Sequence, residues 1–299
     1  MPNHITNILT ISGEEVQVRE CLFQISSNEK DEETGNHNHR LIDFNKIIPR
    51  PKSLDITSGS RVDQAIALLQ DKNEYFEQML DYPWVKNEGM ETIEQVKTYL
   101  RSQMTEKDME EGRMALHNIE TYGCKDWYDW SCVNWGTKWN AYDQDELDFG
   151  VIRFDTAWST PYPVIKALAE TFPNLDFEVK FADEDLGSNC GTYKFVFGVL
   201  ESEYQPEGTE ALKYACQIKG YEFEDFLLDN FGYWELDTIK EHEDTIVQML
   251  QNGNASEFMD RIDEESEQAN EKIEYIKQLA IANELYEDAA MITKMLGDQ

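Results

Sequence analysis

The stretch Leu175-Asp176-Phe177-Glu178-Val179-Lys180-Phe181 constrains the fold more than any other part of this chain. Four apolar side chains alternate with three charged ones, a period of two that suits a strand with one buried and one wetter face. Ile152 and Phe154 mark a strand before it. Between the two, Pro161 and Pro163 sit in the first turn of a helix that Thr160 or Ser159 caps and whose apolar face includes Ile165, Leu168 and Phe172. Gly187 to Gly191 predicts a turn into a returning strand through Tyr193, Phe195 and Phe197. The order β-α-β-β predicts an α+β fold, an antiparallel sheet with helices on one face.

Toward the N-terminus, Ile5, Leu9 and Ile11 read as a first strand closed by Ser12-Gly13. The polar run Ser26 to Arg40 reads as a long exposed loop, and Ile47 to Pro51 as an extended connector. Helical spacing recurs over Arg61 to Leu69 and over Thr92 to Leu100, with Ile93, Val96 and Leu100 on one face. A third helix begins at Thr105, with Asp108 completing an imperfect capping box, and ends near Gly123. Beyond Pro206 the pattern is helical: Thr209 to Ile218 stopped by Gly220, Glu222 to Phe231, Leu236 to Leu250, Ser256 to Ala282, and Asn283 to Leu296. The organisation expected is an α+β domain with a helical insertion over 1–203 and an acidic helical region over 204–299.

Charge narrows the function. The chain of 299 residues has 60 acidic and 26 basic side chains, net −34, and residues 201–299 alone carry −18. Nucleic-acid binding relies on basic side chains that displace counterions from phosphates, so a polyanion of this kind is disfavoured as a direct nucleic-acid binder. The same charge steers the chain toward basic surfaces, which in a cell belong largely to proteins that themselves bind nucleic acid. Acidity that serves solubility alone is the plain alternative. In the last third, Ile239, Ile246 and Leu250, and Ile273, Ile276 and Leu279, form apolar stripes. They require cover, while the acids repel one another and favour an extended, arm-like arrangement. The chain lacks an apolar run long enough to span a bilayer and its start, Met1-Pro2-Asn3-His4, lacks signal-peptide features, so a cytoplasmic location is expected. Five cysteines without CxxC spacing predict free thiols.

Catalytic signatures are sparse. His37 and His39 lack a partner ligand at helical spacing, and Asp183-Glu184-Asp185 with Gly187 lacks the ligand pattern of a calcium loop. No Walker loop, GxGxxG, GxSxG or HExxH is present. No catalytic, cofactor or metal residues are therefore assigned. Four of the seven tryptophans, Trp127, Trp130, Trp135 and Trp139, crowd one short segment. They suit a core, or a ligand surface formed by Asn134, Trp135, Lys138 and Trp139. Glu264, Glu265, Glu267 and Tyr286 are the candidate partner contacts in the acidic tail.

Three stretches together resemble a family of plasmid and phage proteins with a ferredoxin-like domain, the YubB type. They are Met1-Pro2-Asn3-His4-Ile5-Thr6-Asn7, Asn134-Trp135-Gly136-Thr137-Lys138-Trp139-Asn140 and Thr156-Ala157-Trp158-Ser159-Thr160-Pro161. The resemblance implies a ferredoxin-like core without a redox cluster, and a mobile-element origin. Separately, Ala280 to Ala290 resembles the short helical hairpin at the C-terminus of the excision-repair subunit UvrB, in which alanines allow close helix contact and an aromatic at the turn packs between the helices. Charge and resemblance together point to an accessory protein that binds and inhibits a host nuclease or defence protein, with acidic DNA mimicry as the means. The alternatives are a hydrolytic or nucleic-acid-modifying enzyme using the tryptophan segment, and an assembly protein that oligomerises through its C-terminal helices.

Overall fold

A computed structural model describes residues 3–30, 37–231, 233–262 and 268–297. The chain runs β1 (His4–Ser12), α1 (Glu15–Ile25), β2 (Ser27–Lys30), β3 (His37–Arg40), α2 (Phe44–Ile47) and a 3-10 turn at Lys52–Leu54. A helical insertion follows: α3 (Ser60–Gln70), α4 (Asn73–Met79), α5 (Pro83–Asn87), α6 (Ile93–Gln103), α7 (Glu106–Tyr122) and α8 (Trp127–Asn134). Then come β4 (Tyr142–Asp148), β5 (Val151–Ala157), α9 (Tyr162–Thr171), β6 (Asp176–Asp183), β7 (Gly191–Val196) and β8 (Val199–Tyr204). The C-terminal part comprises α10 (Gly208–Lys219), α11 (Phe223–Phe231), α12 (Leu236–Glu241), α13 (Glu243–Gln251), α14 (Ala255–Arg261), α15 (Ala269–Ala282) and α16 (Tyr286–Gly297).

Six strands form one antiparallel sheet in the order β4-β5-β1-β6-β7-β8. β1 lies inside it because its apolar residues have partners on both sides: Leu9 pairs with Ile152 of β5 and with Val179 of β6. The alternation in β6 is read out as expected, with Leu175, Phe177, Val179 and Phe181 buried and Asp176, Glu178 and Lys180 half-exposed. On the buried face the sheet packs against Val18, Cys21 and Ile25 of α1 and Val164, Ile165 and Leu168 of α9.

Part of the opposite face is covered as well. Small residues of α10, Ala211 and Ala215, join Ile218 against Ala182 and Ile8, since short side chains let a helix approach a strand closely. At the open end of this face the Lys219 ammonium donates to Thr6 Oγ1 (3.1 Å), and the Thr6 hydroxyl donates to Asp155 Oδ1 (2.9 Å). Burial nevertheless raises the Asp155 carboxyl above the ordinary aspartate range, outweighing the Thr6 hydrogen bond and the Lys219 charge.

In the insertion, α3 and α7 are drawn together at Gly112, where a Cβ would stand 2.6 Å from the Ala65 Cβ. Thr105 and Asp108 form the expected capping box, and Gly123 ends α7 at φ +74°. Beneath the C-terminal helices lies a separate apolar core that includes Phe231 and Phe258, whose rings meet edge-on at 4.8 Å.

Six expectations need correction. The polar run at 26–40 is partly a hairpin of β2 and β3, since its polar side chains still allow backbone pairing at an edge. Phe197 leaves the strand and sits exposed at φ +53° in the turn between β7 and β8. Pro161 occupies the N-cap of α9, so neither Thr160 nor Ser159 caps that helix. The helix expected over 236–250 breaks at His242, and that over 256–282 breaks after Arg261, where Ile262 turns extended. The tail is no arm: Ile239, Ile246, Leu250, Ile273, Ile276 and Leu279 are covered by one another's helices, because apolar burial exceeds the screened repulsion of surface carboxylates.

Two measurements check this account. Phe177→Ala, at a position with no solvent exposure, should cost about 3–5 kcal/mol in denaturant unfolding. For Asp155 the folded carboxyl titrates above the unfolded one. Its stabilising contribution is therefore present below the unfolded value of about 3.9 and is lost as pH rises through the folded value. Asp155→Asn should accordingly raise the melting temperature at pH 7, with the gain shrinking as pH is lowered into the carboxylate range.

Candidate partner-binding site

The described part of the first stretch, 3–7, converges with 134–140 and 156–161 at one end of the sheet. Asn7, fully buried, donates from Nδ2 to the Ile5 and Phe154 carbonyls (2.9 and 3.3 Å) and to Thr156 Oγ1 (2.9 Å), clamping β1 to β5. The Thr156 hydroxyl in turn donates to the Ser159 carbonyl (2.8 Å), which holds the turn after β5. Thr137 imitates a strand residue there, donating to the Ala157 carbonyl (2.7 Å) and accepting the Ala157 N–H (3.1 Å). The Ser159 hydroxyl closes the knot on the Gly136 carbonyl. Gly136 is required: its φ is +75°, and a Cβ would lie 2.7 Å from Pro163 Cδ.

This knot sorts the tryptophans. Trp130 and Trp135 are core residues, and Trp135 sends its indole N–H to the Ile48 carbonyl (2.9 Å) with Phe44 and Trp130 edge-on to it. Trp135, buried to 1 % exposure, is thus corrected from candidate contact to core: the turn at Gly136 directs it inward. Asn134 spends its amide on the Trp130 carbonyl (3.0 Å), finishing α8. Asn140 bridges outward segments, accepting the Phe44 N–H and donating to Asp43 Oδ1 (2.7 Å).

Lys138 and Trp139 face the surface. The Lys138 ammonium lies 4.6 Å from the centroid of Trp139, 4.9 Å from that of Trp158 and 5.9 Å from that of Tyr128. Among the described residues no carboxylate forms a salt bridge with it, so the aromatic faces supply its counter-charge, at about 0.5–1 kcal/mol each for exposed sites. Trp158 holds a left-handed conformation at φ +73°, uncommon for so bulky a residue, and is 42 % exposed. Its N–H is held by the Asn3 carbonyl (2.9 Å) and its carbonyl by Asn189 Nδ2 (3.1 Å).

The aromatic surface continues through Tyr142, edge-on to Trp139, to His4, whose Nδ1 lies 2.8 Å from the Tyr142 hydroxyl. Burial first, then the charges of Asp155, Asp143 and Glu184, push the Tyr142 phenol up to about 12. Asp129, beside Tyr128, is raised by burial and by Asp126. The chemistry available is that of a contact surface with aromatic faces, one ammonium and a carboxylate rim. Among the described residues no group of three or more His, Cys, Asp or Glu side chains could hold a metal ion. Burial pushes the thiols of Cys21 and Cys216 up to about 12 and 11, well away from thiolate reactivity.

Other candidates lie elsewhere. Asp183 accepts from Asn3 and Asn189 (3.2 and 3.1 Å) and from the Asp185 N–H (3.0 Å), a structural tie between loops. His39 is exposed on β3. Glu264, Glu265 and Glu267 fall outside the described residues. Tyr286 opens α16, 65 % exposed, while Ala280 and Ala289 are buried. The alanines therefore allow the close helix contact expected of the hairpin, but its aromatic does not pack between the helices, because the turn at Glu284 (φ +61°) directs it to solvent. Sequence reasoning missed Trp158, Tyr128, Tyr142 and His4 as members of the surface. The available signal was Trp158 itself, a large aromatic directly after the buried end of β5.

Residues 134–226 match the family model described as "Ferredoxin-like domain in Api92-like protein". A comparison with curated proteins gives no match. A solved structure titled as protein api92 from Yersinia pseudotuberculosis aligns with 69 % of this chain and 99 % of that chain, at 13 % identity and a TM-score of 0.28. The family match begins at Asn134, takes in β4 to β8 with α9 and α10, and identifies that part of the chain as a ferredoxin-like domain similar to those of Api92-like proteins.

Proposed function

We propose that this protein is a non-catalytic accessory protein of a mobile element, which binds and inhibits a nucleic-acid-processing or defence protein of its host. The observation that carries the reading is the surface of exposed Trp139 and Trp158 and half-buried Tyr128 around an ammonium that, among the described residues, forms no salt bridge. Rigid indoles give large contact area at small entropic cost and are enriched among the residues that dominate binding energies. Holding one of them in a strained backbone conformation by two hydrogen bonds is a cost that core packing does not require.

The carboxylates beside the surface, Asp129, Asp143 and Glu184, and the net charge of −34 favour a basic partner. A guanidinium stacks on an indole face while a neighbouring carboxylate takes its charge. Nucleic-acid-processing enzymes present such surfaces in the grooves where phosphates lie, so an acidic protein seated there competes with the substrate. The mobile-element origin follows the family resemblance of the three converging stretches.

The test is capture of host proteins by the immobilised full chain at physiological salt, followed by inhibition of the captured enzyme. A nuclease or restriction component should be retained and inhibited. Trp139→Ala and Lys138→Ala, with unchanged melting temperatures, should weaken the interaction by at least about 2 kcal/mol, roughly thirtyfold. Retention of no such protein, or inhibition by both variants equal to that of the unchanged chain, rejects the reading.

A further inference from the structure

The two edges of the six-stranded sheet are built differently. β4 is guarded: it carries Asp143, Asp145, Glu146 and Asp148, and its pairing with β5 shifts register twice. Such charges and irregularities stop an edge from accepting another strand. β8 is less guarded: it carries two acids, Glu201 and Glu203, and one register shift against β7, while all six of its residues are exposed, and Val199 (64 %), Leu200 and Tyr204 present apolar surface beside Phe197 of the preceding turn (79 %). Among the described residues only β7 pairs with it, so half of its backbone N–H and C=O groups point away from the sheet.

We propose that β8 is a docking edge for an extended segment of a partner protein that alternates basic and apolar side chains and adds a seventh strand to the sheet. Main-chain hydrogen bonds supply the affinity in this mode and alternate side chains the selectivity. Val199 and Tyr204, which pair with Val196 and Thr192, take the apolar positions on one face, and Glu203 lies with Leu200 on the other. Glu203 is exposed, and Glu201 already holds Lys194 at 2.6 Å, which shows that a cation fits against this strand. A second copy of this chain is the poorer occupant: antiparallel self-pairing would set Glu201 and Glu203 of the two copies near each other, between molecules of net −34. The proposal is independent of the surface around Lys138.

The probe is a fluorescently labelled ten-residue peptide of alternating lysine and valine, titrated into the full chain and followed by anisotropy and by amide hydrogen exchange. A second peptide has the same sequence with every second backbone nitrogen methylated, which keeps the charge and removes ladder donors. The first should bind and slow exchange at 199–204, and the methylated peptide should bind at least about tenfold more weakly. The double variant Val199→Lys with Glu203→Lys, at unchanged melting temperature, should show a comparable loss, whereas Trp139→Ala should bind the peptide as the unchanged chain does. Equal affinity for both peptides, protection at sites other than β8, or no binding overturns the proposal. Self-association through β8 in sedimentation without peptide overturns it in favour of a second copy.

Discussion

The hydrogen bonds of Asn7 hold the structure's functional end together. Its amide reaches two carbonyls on two strands and the Thr156 hydroxyl at once, and from Thr156 the chain of bonds runs through Ser159 to Gly136. Each link is buried or half-buried, where an unpaired polar group is costly, so the parts stand or fall as a unit. The placement of Trp158 and of Lys138 is a consequence. Neither belongs to a regular element, and both are positioned by the segments this knot ties down.

The charge of the chain is handled in a second way. Residues 201–299 carry −18 and the described helices still fold over an apolar core, because their carboxylates are on the outer faces while Phe231, Ile246, Phe258 and Ile276 are fully buried. Breaking the helices at His242 and after Arg261 lets short apolar faces turn toward a common centre, which two long straight helices do not allow. The result is a compact acidic body fixed to the sheet through α10.

The fold was legible where a period was long enough to be unambiguous. The alternation at 175–181 placed β6, and the spacing of Ile93, Val96 and Leu100 placed α6. The edge strands were not legible, since in β4 and β8 solvent on both sides erases the alternation; Asp145 and Glu146 in sequence look like any pair of surface acids. In the site, Lys138 and Trp139 were named and lie at the surface, but the division between Trp135 inward and Trp139 outward depends on the turn at Gly136, whose geometry no residue count supplies. Trp158 joins them from more than fifteen residues away along the chain, a proximity created by strand pairing and invisible to local pattern.

The position of β1 has a consequence for the order in which the chain acquires structure. This strand is made well before its neighbours, β5, which begins at Val151, and β6, which begins at Asp176. The helices from α3 to α7 have local partners and can form while β1 still lacks both ladders. Until residue 183 has been made, the alternately apolar segment from Ile5 to Ile11 exposes two strand edges and an oily face, and it is the part of the nascent chain that most needs protection from other strands.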